Sequence, residues 1–129
     1  MNPMRTNLFA LILICAAPTW AATPAELLAT YTAQAGQPAD AQRGQQFFQS
    51  KHGKTWSCAS CHGQSPLTPG QHASTQKSIQ PLAPAANPRR FTQASKVEKW
   101  FRRNCNDVLD RACTPAEKAD VLAWLITLR

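Results

Sequence analysis

The stretch Cys58-Ala59-Ser60-Cys61-His62 decides how the rest of this chain reads. Two thiols separated by two residues, with a histidine directly after them, form the pattern of a c-type haem attachment site. The chemistry requires that spacing. Each thiol adds across one haem vinyl group, both sulfurs must reach one porphyrin edge, and the adjacent imidazole supplies the proximal iron nitrogen. Two other readings compete. A structural zinc site needs two further ligands at matching spacing, and a thioredoxin-like pair would sit beside a strand–helix pattern. Neither fits well. The expectation is one covalent haem c on Cys58 and Cys61, with His62 as the proximal iron ligand.

Working outward, the N-terminal end reads as a secretory leader over residues 1–21. Arg5 gives its positive end, Leu8 to Ala17 its apolar run, and Thr19-Trp20-Ala21 a small-x-small cleavage site. The apolar run is too short to span a membrane, which takes about 20 residues. Ile14 stands where a lipid-modified cysteine wants a small neighbour, so Cys15 leaves with the leader. Residues 22–129 are then one exported domain, expected to be a soluble periplasmic monomer.

Export settles the remaining cysteines. Of five in the chain, the leader removes Cys15 and haem takes two, leaving Cys105 and Cys113. In an oxidising compartment this pair is most simply a disulfide, and closing so small a ring stabilises by about 2.5 kcal/mol. The charge balance is 14 Lys plus Arg against 7 Asp plus Glu. No basic stripe interleaved with aromatics and no groove-reading helix accompanies that excess, which argues against nucleic acid. A basic surface beside a haem suits the steering of an acidic redox partner, or is simply solvated.

The pattern elsewhere is helical. Thr23-Pro24 caps a helix that ends at Gly36, with Leu27, Leu28 and Tyr31 on one side. A second helix runs from Asp40 through Phe48, with Gly44 and Phe48 sharing a face and Phe47 on the haem side. Five prolines between Gly63 and Pro88 forbid a long helix there; this segment is read as wrapping the haem edge, with Ile79 and Leu82 as contacts. Ser95-Lys96-Val97-Glu98 has the form of a capping box, which starts a helix at Ser95 that frays near Asn104-Cys105-Asn106, before a short turn through Val108 to Arg111. Thr114-Pro115-Ala116-Glu117 is a second such box, opening a last helix with Val121, Leu122, Trp124, Leu125 and Leu128 on its buried face.

The other face of the iron is the open question. Electron-carrying cytochromes c usually present methionine there, but this chain's two methionines, Met1 and Met4, lie in the leader. That leaves His52, His72, a lysine, Tyr31, an asparagine, or an open position.

The segments Ile79 to Thr92, Lys96 to Leu109, Cys113-Thr114-Pro115 and Asp120 to Trp124 together resemble the sphaeroides haem protein family of oxygen-binding monohaem cytochromes c. The likeness covers most of the chain from Gly44 onwards. It implies the all-α class I cytochrome c fold, with Gly44 and Phe48 crossing Trp124. It also implies a Cys105–Cys113 disulfide and an unusual sixth ligand, the asparagine just before the first disulfide cysteine, here Asn104. Asn106 and Asn87 are the fallback choices, and a helix C-cap is the plain structural alternative for Asn104. Implied partners are a diatomic gas and, as electron donor, a dihaem cytochrome c or a membrane cytochrome b. Two rival functions stay open: a shuttle with permanent bis-histidine ligation through His72, and a small oxidase or nitric oxide-converting enzyme.

Overall fold

Five helices and one two-stranded hairpin make up the computed structural model, which describes residues 21–129. The expected leader over residues 1–21, with Met1, Met4 and Cys15, lies outside the described residues but for Ala21. In order these are α1 (Pro24–Ala35), α2 (Ala41–Gln49), α3 (Cys58–His62), β1 (Gly70–Gln71), β2 (Ser78–Ile79), α4 (Ala94–Leu109) and α5 (Pro115–Thr127). Among the described residues, no helix is long and apolar enough to cross a membrane.

Helix α2 crosses α5, and the crossing is built on a missing side chain. A Cβ at Gly44 would overlap the backbone carbonyl of Asp120, so only glycine lets the two backbones meet there. Phe48, 1% exposed, fills the space beside the contact, its ring centroid 5.0 Å from that of Trp124. The buried Asp120 carboxylate accepts hydrogen bonds from the Asp40 amide at 2.8 Å and from the Arg43 guanidinium. A charge taken out of water needs such partners, and here they tie the cap of α2 to α5.

Helix α1 also packs on α5, through Leu27 and Tyr31. Tyr31 is the anchor. Its ring meets Phe101 edge-on at 5.9 Å, and its hydroxyl donates to Glu98 at 2.6 Å. Lys118 donates to the other Glu98 oxygen at 2.7 Å. Desolvation and the Glu98 hydrogen bond hold the Tyr31 phenol neutral well above its ordinary range.

Caps follow the sequence at three helices and fail at the fourth. Thr23, Asp40 and Thr114 accept from backbone amides three residues on, and Gly36 closes α1 in the left-handed conformation. Helix α4, however, starts at Ala94 with Gln93 as a cap that makes no side-chain bond. The Ser95 box does not form because Tyr31 and Lys118 engage the Glu98 carboxylate, so a tertiary contact outcompetes the local one. Nor does α4 fray at Asn104–Asn106 or give way to a turn through Val108. It continues to Leu109 and closes at Asp110, in the left-handed region, because the extra turn buries Val108. A disulfide joins Cys105, inside α4, to Cys113, with their Cα atoms 5.6 Å apart.

Candidate haem site

The motif occupies α3, a five-residue helix set by its own ends. Ser57 accepts from the Ser60 amide at 3.2 Å while Ser60 Oγ accepts from the Ser57 amide at 2.9 Å. This reciprocal box uses serine where glutamate is usual. Gly63 follows, its amide donating to Ala59.

One turn of helix brings Cys58, Cys61 and His62 together, and the neighbouring hairpin presses on it. A Cβ on Gly70 would overlap the Cys61 carbonyl and lie 2.9 Å from His62 Cα. The Ala73 amide donates to Cys61 Sγ at 3.3 Å. Behind the histidine, the Phe48 ring stands 6.1 Å from the imidazole, so the α2–α5 crossing backs the site directly. The proline-rich segment closes on itself: the Pro66 carbonyl accepts from Leu82 and Ala83, and the Pro81 carbonyl accepts from Arg90 Nε at 2.9 Å. Ile79 lies in β2 opposite Gly70, and Leu82 packs against the core, both half-buried.

The electrostatics suit a ligand to iron better than a thiol redox pair. Desolvation, with Arg90 adding to it, pushes His62 down to about 4, leaving a neutral imidazole with a free lone pair. Its Nδ1 is buried without a hydrogen-bond partner among the described residues. Desolvation also pushes the Cys58 thiol up to about 11, the opposite of an activated redox cysteine. Cys58 and Cys61 form no disulfide. The zinc reading lacks ligands, since no three His, Cys, Asp or Glu among the described residues come together to hold a metal ion.

Open, partly polar surface borders the motif. Trp56 and Trp100 are the exposed large apolar side chains among the described residues, at 36% and 43%. Trp56 borders two open hollows. One, of about 550 Å³, includes Ser60, Cys61 and Gly70; the other, of about 620 Å³, lies between Gly53–Trp56 and the end of α4 at Asn106, Asp107 and Asp110. Lys54 and Asp110 form an ion pair between the two walls of the latter.

The residues weighed for the sixth position are not equivalent. His52 Nε2 sits 2.7 Å from the Phe47 carbonyl, and its ring packs on Phe47 at 4.4 Å. His72 Nδ1 accepts from the Ser74 and Thr75 amides. Asn87 donates to Pro81 and accepts from the Arg89 amide, and Tyr31 is committed to Glu98. Asn106 is exposed. Asn104 is half-buried, makes no side-chain hydrogen bond among the described residues, and flanks the α4 stripe of Val97, Phe101, Cys105 and Val108. It lies mid-helix, five residues before Leu109, and so is not a C-cap. Three residues escaped the sequence reading. Arg90, the cation nearest in effect to His62, carries no motif. Lys54 and Asp110 are 56 positions apart, with nothing local to signal their pairing.

A covalent-haem motif on a short helix, backed by the crossed helices α2 and α5, defines a c-type cytochrome of the all-α class I type. Comparison with known proteins narrows the class. Residues 34–125 match a family described as "Domain of unknown function (DUF1924)". The cytochrome c-type protein SHP of Cereibacter sphaeroides is 55% identical over 107 residues, covering 80% of this chain and 82% of that protein. Cytochrome c'' of Methylophilus methylotrophus is 46% identical over 80 residues, covering 62% of this chain and 56% of its own. A solved structure described as oxidized SHP, an oxygen-binding cytochrome c, superposes with a TM-score of 0.77 at 53% identity, covering 81% of this chain and 96% of that one. Oxidized cytochrome c'' gives 0.72 at 37% identity, covering 82% and 94%. The chain therefore belongs to the SHP family of monohaem c-type cytochromes, and its cofactor is one covalently bound haem c.

Proposed function

We propose that Cys58 and Cys61 carry the haem as thioethers, that His62 Nε2 binds the iron, and that Asn104 is a labile sixth ligand. On this reading, with haem c bound, Asn104 would be a ligand that one-electron reduction could release, leaving a place open to dioxygen, nitric oxide or carbon monoxide. Haem c would supply a one-electron couple and an iron able to exchange ligands. The chain does the rest. His62, neutral and backed by Phe48, offers its lone pair without first losing a proton. Asn104 offers a neutral amide, a hard donor poorly matched to ferrous iron. The Cys105–Cys113 bridge fixes the turn of α4 next to it, so Asn104 is positioned by a covalent ring as well as by packing.

One observation carries this reading: Asn104 is a half-buried amide with no hydrogen-bond partner among the described residues, in a chain with no methionine beyond Met4. That a relative's structure is described as an oxygen-binding cytochrome c supports it. The leader over residues 1–21 would deliver the domain to the periplasm. There the electron donor would be a partner cytochrome, a dihaem cytochrome c or a membrane cytochrome b. Spectra of the Asn104→Ala protein test the assignment. The ferric spectrum should change while haem attachment stays intact. No change with Asn104→Ala, together with a change for His72→Ala or Asn106→Ala, would move the ligand elsewhere.

A further inference from the structure

Seven acidic side chains are spread along this chain, and most of those in the structure are already engaged. Asp40 and Asp120 pair with Arg43, Asp110 with Lys54, Glu117 with Arg111, and Glu98 with Lys118, while Glu26 caps α1. Asp107, on α4 one turn beyond Arg103, makes no ion pair among the described residues; of the nine cations there that make none, four lie on α4, Lys96, Lys99, Arg102 and Arg103. Lys96, Lys99 and Arg103 are all exposed and make no ion pair among the described residues. Spaced three and four apart, they line one ridge of the helix. Trp100 lies beside them, with the Arg103 guanidinium 5.1 Å from its ring centroid. Trp100 is also one turn before Asn104, on the same side of α4.

From this placement we infer that the α4 ridge of Lys96, Lys99 and Arg103 is where an acidic redox-protein surface docks to deliver the electron. The inference rests on the proposed electron-accepting role and adds the place of entry. Two observations favour a protein over an anionic membrane. The ridge is short, three cations within eight residues, and its apolar component is one tryptophan already stacked under a guanidinium. A membrane-surface helix instead presents a broad apolar face to the acyl chains. The apolar face of α4, Val97, Cys105 and Val108, is buried in the fold. Complementary charge at such a ridge raises encounter rates and makes them fall with salt.

The test uses the haem-loaded protein and, as probe, reduced flavodoxin, a small acidic one-electron donor, in stopped flow at several ionic strengths. Lys96→Glu/Lys99→Glu/Arg103→Glu is compared with Lys51→Glu/Lys77→Glu/Arg89→Glu, which changes net charge equally on other exposed segments. Helical circular dichroism and the haem absorbance confirm that each variant is folded and loaded. The α4 variant should lose about tenfold in rate at low ionic strength and much of its salt dependence, and the control should stay within about threefold. Equal losses in both would reduce the effect to net charge and overturn the inference, as would no loss in either. Retained rate with loss of sedimentation on phosphatidylglycerol vesicles would overturn it in favour of a membrane. Carbon monoxide binding by the ferrous protein is read separately. If it fails, the ligand reading falls, but the rate pattern still decides the docking surface.

Discussion

Two helices carry the proposed iron ligands, and they are held in different ways. Helix α3 is five residues long, boxed by Ser57 and Ser60, closed before Gly63 and pressed by Gly70, so nearby residues shape it, with Phe48 of the α2–α5 crossing behind His62. Helix α4 is sixteen residues long, has no side-chain N-cap, and is placed by side-chain contacts from beyond its own span. Tyr31 and Lys118 take Glu98 near its start, 67 and 20 positions away, while near its end a bridge spanning only 8 positions ties Cys105 to Cys113. The proximal side is thus shaped largely by local means. The side carrying Asn104 hangs on single contacts that can be removed one at a time. On the proposed reading, in which His62 stays on the iron and Asn104 leaves it, this is the distribution of rigidity the site needs.

The contrast can be broken most severely at α3. Replacing Cys58 and Cys61 together with alanine should abolish covalent haem, read as loss of haem staining on a denaturing gel. Next comes the frame behind α3. Gly44→Ala puts a methyl group into the Asp120 backbone and should cost about 1–3 kcal/mol, measured by denaturant unfolding. Removing the bridge with Cys105→Ser/Cys113→Ser should cost about 2.5 kcal/mol. If α4 is positioned as described, that variant also changes the ferric spectrum while haem attachment is untouched. Tyr31→Phe, which strips a hydrogen bond from a carboxylate, should cost about 1.5 kcal/mol and leave the spectrum alone.

The smallest effect is a pH dependence. Glu98 is held below its ordinary carboxylate value: desolvation would raise it, but the Lys118 and Tyr31 hydrogen bonds outweigh that. A depressed carboxylate stabilises the fold above its unfolded value of 4.5 and ceases to as pH falls through its folded one. Tyr31 has the reverse sign, its contribution present below 10.0 and lost as pH rises beyond. Unfolding free energy should therefore sag at both extremes, and Tyr31→Phe should remove the alkaline loss.

What could be read from the sequence follows the same division. The attachment motif and the Thr114 box were legible because each depends on residues a few positions apart, and Gly44 signalled a close helix approach whose partner, Trp124, the family resemblance supplied. The family resemblance supplied Asn104, which spacing alone left among several choices. The start of α4 was misread because Glu98 looks like the far half of a capping box. Its bonding is decided by Tyr31, 67 positions away. The end of α4 was misread because asparagines suggest a cap, whereas the buried Val108 and the Cys105 bridge favour another turn. Arg90 and the Lys54–Asp110 pair had no local signal at all.

The claim that Asn104 yields its place on reduction is tested most directly by the absorption spectrum of the haem-loaded protein in both oxidation states, with and without carbon monoxide. The ferric form should show high-spin character. The ferrous form should take up carbon monoxide readily, its Soret band shifting and sharpening on addition of the gas. A low-spin ferrous spectrum that carbon monoxide leaves unchanged would mean a permanent sixth ligand, and the labile-asparagine reading would be wrong.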